Sequence, residues 1–130
     1  MQYTGCKAPE IGGSVMTVQT KLDSKSTVSC MKILSDSTRL LILKLLQEKP
    51  YCVCQFVDMF ETSQPSISQH LRKLKSANMI KEERREQWRF YSLHDDFPER
   101  ELVLAILNQI DEHDEVLQTI KRKERPVSCS

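Results

Sequence analysis

Long apolar runs are missing from this 130-residue chain. No stretch approaches the roughly 18–20 residues that cross a bilayer, which excludes a membrane-spanning helix. The N-terminal stretch has no positive segment followed by an apolar one, so no secretory signal is expected and the cytoplasm is the expected location. Glycine is scarce. The three glycines, Gly5, Gly12 and Gly13, all stand at the N-terminal end, and no Gly-rich phosphate loop is present. The three histidines and the acidic residues form no recognisable triad. No two cysteines are separated by two residues in a strand–helix setting, so thioredoxin-like chemistry lacks its motif. Excess charge is missing as well: the net value is only +1, at first sight poor for a nucleic-acid binder.

That average hides an asymmetry. Residues 1–93 carry 14 Lys/Arg against 9 Asp/Glu, a net of +5, whereas residues 94–130 carry 5 against 9, a net of −4. The middle of the chain can meet phosphates while the C-terminal part faces solvent or another protein. With 39% apolar and 28% charged residues the composition is that of an ordinary soluble domain, long enough for one core. The five cysteines, Cys6, Cys30, Cys52, Cys54 and Cys129, are expected to be reduced or metal-bound in the cytoplasm.

Residues 1–23 show no apolar period and read as a flexible arm, within which Met16 is an alternative start. Residues 24–122 read as the folded domain and 123–130 as a frayed basic tail. A first helix is predicted over Ser26–Leu34 with Val28, Met31 and Leu34, and Cys30 beside them, on one side. Asp36 or Ser37 caps a second helix, apolar nearly all round through Leu40–Leu46 and therefore the buried centre. A short helix is predicted from Cys52 to Phe60, then a turn at Glu61-Thr62-Ser63, then a helix capped by Ser63 with Pro65 in its first turn. Two strands follow, Met79–Glu83 and Trp88–Leu93, joined by a loop at Arg84-Arg85-Glu86-Gln87. After Pro98 one long helix is predicted through Leu102, Ile106, Ile110, Leu117 and Ile120. The fold class is mainly α with a β-hairpin (α+β), in the order α-α-α-α-β-β-α.

On a helix at 100° per residue, Ile67, Leu71 and Leu74 fall within about 60° of one another and face the core. The opposite face presents Ser66, Gln69, Arg72, Lys73 and Ser76, with His70 at its edge. Gln pairs bidentately with adenine and Arg with guanine, while Ser and Lys reach phosphates or base edges. Any surface helix turns such residues outward. A preceding helix and three-residue turn, followed by a hairpin with Arg84 and Arg85 at its tip, make this one a recognition helix beside a wing. Gln64 and Ser68 complete the set of candidate DNA contacts.

Four segments, Leu34–Leu40, Cys52-Val53-Cys54, Ser63–Leu71 and Gln87–Leu93, together resemble the ArsR family of bacterial winged-helix repressors. The resemblance covers about residues 28–93. It implies a winged helix-turn-helix, a homodimer built by the first and last helices, repression of a resistance operon by binding double-stranded operator DNA, and release when a thiophilic ion binds.

Cys52 and Cys54 are the candidate ligands, since thiolates select soft ions over Mg²⁺ or Ca²⁺. The alternative, two small buried hydrophobes, is less consistent with the DNA-binding surroundings. Read as positions i and i+2 of a regular helix, the two point about 200° apart, so chelation is expected to distort that turn. In arsenite-sensing relatives a third cysteine lies three residues further on, where this chain has Val57. Either two sulfurs suffice, with water or a small thiol as third ligand to As(III) or Sb(III), or Cys6 joins, as N-terminal cysteines do in Cd(II)- and Pb(II)-sensing relatives. Cys30 reads as core, and Cys129 has no counterpart. His94, Asp95, Asp96, His113 and Glu115 do not match the zinc-sensing spacing and read as a solvated acidic face. A thiol redox protein and a pure protein-interaction module are the contrasting classes.

Overall fold

The structure, a computed structural model, describes residues 21–127; Cys6, Met16 and Cys129 lie outside them. Asp23 accepts from the Ser26 N–H at 2.7 Å and starts α1 (Ser24–Leu34) two residues before the predicted point. The inward face of α1 is Cys30 and Leu34. Val28 and Met31, grouped with Leu34 by the helical spacing, are 49% and 55% exposed. Asp36 caps α2 (Ser37–Leu46), whose residues 41–46 are all buried.

That buried helix contains Lys44, a charge that an apolar reading of α2 passes over. Its ammonium donates to the Leu107 carbonyl at 3.0 Å and lies 3.5 Å from Glu112. Buried ammonium groups persist only with such partners.

A two-residue strand β1 (Tyr51–Cys52), absent from the sequence reading, precedes α3 (Val53–Phe60). The turn enters the left-handed region at Glu61 (φ 52°), and Ser63 then caps α4 (Gln64–Ser76) by accepting from the Ser66 N–H at 3.2 Å. Ile67, Leu71 and Leu74 are buried, as the helical spacing predicts. The hairpin is β2 (Ile80–Arg85) and β3 (Trp88–Leu93), with strand order β1-β3-β2. Arg84 and Arg85 end β2 rather than forming a loop, and the connection is Glu86-Gln87 with Glu86 at φ 59°.

The single long C-terminal helix is not what forms. It breaks into α5 (Arg100–Asn108) and α6 (Glu115–Lys121). The segment between them holds Asp111, Glu112 and Asp114. Negative side chains disfavour a helix C-terminus, and aspartates compete for local backbone N–H groups. Asp111 accepts from the His113 N–H at 2.8 Å, and Asp114 caps α6 by accepting from Leu117 N–H at 3.0 Å. Among the described residues no helix is long and apolar enough to cross a membrane.

Candidate nucleic-acid interface and sulfur site

The apolar stripe of α4 fixes what faces outward. Gln64, Gln69, Arg72, Lys73 and Ser76 are exposed, and Ser66 and Ser68 are half-buried. His70 turns away from that face: its Nδ1 lies 3.3 Å from the Arg39 guanidinium and 3.9 Å from Asp36. It ties the helix to the α1–α2 turn instead of joining the exposed face of Gln69, Arg72 and Lys73.

The wing stands beside α4. Arg84 is directly opposite Arg89 across the hairpin, and like charges so placed are destabilising unless an anion screens them. The Arg85 guanidinium stacks 5.2 Å from the Phe90 ring and pairs with Glu83 at 3.2 Å. Glu82 sits between the two elements, receiving Lys75 of α4 at 2.7 Å and Arg89 of β3 at 3.3 Å. Lys75 and Arg89 are contacts that sequence reasoning missed. Only the register, which puts Glu82 and Arg89 near the α4 surface, brings them together, and no turn motif announces it.

The hydrogen bond from Lys75 holds the Glu82 carboxyl below the ordinary carboxylate range. A group with a depressed folded-state value stabilises above its unfolded value and loses that contribution as pH falls through the folded one. The wing should therefore loosen from α4 on acidification below the ordinary carboxylate range. Trp88, the chain's one tryptophan, lies on β3 and reports it. Its emission should shift at acid pH before far-UV dichroism changes, and Glu82→Gln should show the shifted emission at neutral pH. Coincident fluorescence and dichroism transitions in the parent would disprove the local loosening.

Cys52 is the N-cap of α3 in an extended conformation (φ −90°, ψ 154°), not a residue of its first turn. The expected 200° divergence therefore does not arise. The Cys52 and Cys54 sulfurs lie 3.3 Å apart, well beyond an S–S bond. With thiolate–metal bonds of about 2.3 Å, as for zinc, that separation corresponds to an angle of roughly 90° at a shared ion. Chelation needs no unwinding of the turn. Cys52 is 3% exposed and Cys54 half-buried.

Cys54 is disulfide-bonded, which corrects the expectation of a reduced or metal-bound thiol for this residue. Cys30 is a buried free thiol whose pKa is raised by burial and by the nearby Glu99, which makes it a poor ligand. Val57 is half-buried on α3. No group of three or more His, Cys, Asp or Glu side chains able to hold a metal occurs among the described residues. His94, Asp95 and His113 are engaged locally, with the Asp96 N–H, Lys81 and Asp111 respectively.

A helix-turn-helix whose second helix presents Gln, Arg and Lys, flanked by a basic hairpin, defines a winged-helix DNA-binding protein. The model of the bacterial regulatory proteins of the arsR family matches residues 36–82. A HTH-type transcriptional regulator of Methanocaldococcus jannaschii is 42% identical over 82 residues, 62% of this chain and 86% of that one. The chain belongs to the ArsR family of transcriptional regulators, and it is not an enzyme. An arsenic resistance transcriptional regulator of Pseudomonas putida is 39% identical over 69 residues, covering 52% of this chain and 54% of its own. The chain thus spans about half the length of that relative. Among solved structures, reduced HlyU of Vibrio cholerae superposes with a TM-score of 0.58 at 27% identity, over 66% of this chain and 85% of that one.

Proposed function

We propose that the chain is a homodimeric, cytoplasmic repressor of a metal(loid)-resistance operon, released from operator DNA when As(III), or Sb(III), binds Cys52 and Cys54. The observation that carries this reading is the 3.3 Å sulfur pair at the N-terminus of the helix that packs on the recognition helix. The arsenic resistance function named for the Pseudomonas relative supports the choice of ion. Cys54 must be in its reduced form to ligate, so oxidation competes with the inducer. The third ligand is water or a small thiol. Cys6, outside the described residues, is the alternative and would favour Cd(II) or Pb(II).

Two links connect the sulfurs to the DNA face. Cys52 is the register partner of Phe90 on β3, and Phe90 carries the stacked Arg85 of the wing. On the other side α3 packs against α4. An ion that binds Cys52 and Cys54 therefore bears on the wing and the recognition helix together. By linkage, operator DNA weakens ion binding by the same factor.

DNA reading is assigned to Gln64, Ser66, Ser68, Gln69, Arg72 and Lys73, with Arg84 and Arg85 on phosphates. Gln69→Ala and Arg72→Ala should each cost about 1–3 kcal/mol at the operator and little in folding. Arg84→Ala should weaken binding to all sequences and reduce the salt dependence by about one phosphate contact. Operator and random-DNA titrations at several salt concentrations separate the two. Parent-like operator affinity in both α4 variants would remove the groove assignment.

A further inference from the structure

Residues 123–125, expected in a frayed tail, lie across α3 and are bonded at both of its ends. At the sulfur end, Tyr51 donates its hydroxyl to Glu124 at 2.9 Å, and Lys49 forms an ion pair with the same carboxylate. Gln55 is buried and works in two directions. It accepts from the Cys52 N–H at 2.9 Å and donates to the Arg125 carbonyl at 2.9 Å. Its side chain therefore joins the Cys52 cap directly to the C-terminal segment. At the far end Lys123 pairs with Glu61 at 3.0 Å.

Glu61 is the left-handed residue of the helix-turn-helix turn. A non-glycine residue in that region is strained by about 1 kcal/mol or more, so its conformation depends on what surrounds it. Between the segment and the turn lies an open cavity of about 640 Å³, lined by Asp58, Thr62, Ser63 and Arg122 among others. The pair with Lys123 thus crosses a gap that packing does not fill.

We propose that residues 123–125 form a strap that joins the Cys52–Cys54 pair at one end of α3 to the helix-turn-helix turn at the other, with Gln55 as the positioning residue at the junction. The proposal rests on the reading of those cysteines as inducer ligands. A shift of Cys52 on ligation moves its N–H, hence Gln55, hence the Arg125 backbone and the Glu124 and Lys123 side chains. Glu61, and with it the entry angle of α4, follows. Coupling between sites is carried by packed and hydrogen-bonded networks, and the strap is such a network outside the α3–α4 contact and the β1–β3 ladder.

The test uses the full-length protein under reductant. Thiolate-to-arsenic absorption should show the same arsenite stoichiometry in the parent, Glu124→Ala and Lys123→Glu. The ratio of operator affinities without and with arsenite should shrink in both variants by a factor of roughly 2–30, the range for residues that carry coupling. Adding Glu61→Lys to Lys123→Glu should restore it. Variants that bind arsenite normally and release DNA as fully as the parent would overturn the strap. Absence of arsenite binding in the parent would instead overturn the sulfur reading. The strap then stands or falls on amide exchange in the ion-free protein. Glu124→Ala should accelerate exchange at Cys52 and at Thr62, whose N–H bonds the Val57 carbonyl; unchanged Thr62 exchange rules it out.

Discussion

Cys52→Ser and Cys54→Ser should each bind the operator as the parent does and stay bound when arsenite is added. The two halves of that result have separate causes. Cys52 is the N-cap of α3, and serine is among the best residues there, so the exchange keeps or improves the cap. Cys54 is half-buried in the first turn, where a hydroxyl reaches solvent or a backbone partner. Neither change disturbs the packing on α4. Serine is a poor ligand for a soft ion, however, so the coupling, typically 5- to 150-fold in affinity, should vanish in either variant.

The other cysteines are the controls. Cys30→Ser places a hydroxyl in the apolar interior at a cost of about 1–3 kcal/mol, visible as a lower midpoint of denaturation, but release should remain normal, as in Cys129→Ser. Cys6→Ser discriminates between ions: lost response places a third sulfur on the N-terminal arm and favours Cd(II) or Pb(II), whereas retained response leaves a two-sulfur arsenite site. Fluorescence anisotropy on labelled operator, with reductant present, reads all of these. A Cys52/Cys54 double variant that releases like the parent would end the sulfur switch as an explanation.

What the sequence made legible was whatever a single helical period or a local cap decides. Ile67, Leu71 and Leu74 face inward and Gln69 and Arg72 outward because 3.6 residues per turn permits no other arrangement. Ser63 and Asp36 stand where capping chemistry puts them. The failures come from tertiary contacts. The helical pattern of its neighbours predicts a helical Cys52. Its pairing opposite Phe90 draws it into a strand, and that one change of backbone brings the sulfurs together instead of splaying them. Helical spacing continues through Leu107, Ile110 and Leu117, yet aspartates claim backbone N–H groups between α5 and α6, and the Lys44 ammonium takes the Leu107 carbonyl in the last turn of α5. The Glu82 cluster and the strap join residues far apart in the chain, for which no local pattern exists.

Met31→Asp combined with Val28→Asp should give a folded monomer with very weak operator binding. The two side chains are three residues apart on α1 and share a face, while Cys30 and Leu34 hold the other side of that helix in the core. Both are about half exposed, so carboxylates there cost the monomer fold little. Across a two-fold axis the same substitutions would bring four charges into an apolar contact, which like-charge repulsion and desolvation forbid. Two recognition helices one DNA turn apart make the second binding event intramolecular. Losing the dimer should therefore reduce operator affinity by about 10²–10⁴-fold, more than any single groove contact. The position matters for the test. Ile106 on α5 looks like the natural target from its spacing, but it packs against the core, and Ile106→Asp would confuse unfolding with dissociation. Sedimentation at micromolar concentration, dichroism and operator titration of the Val28/Met31 variant separate the two. A variant that stays dimeric, or a parent that sediments as a monomer and still binds the operator tightly, would show that the α1 face is not the dimer contact.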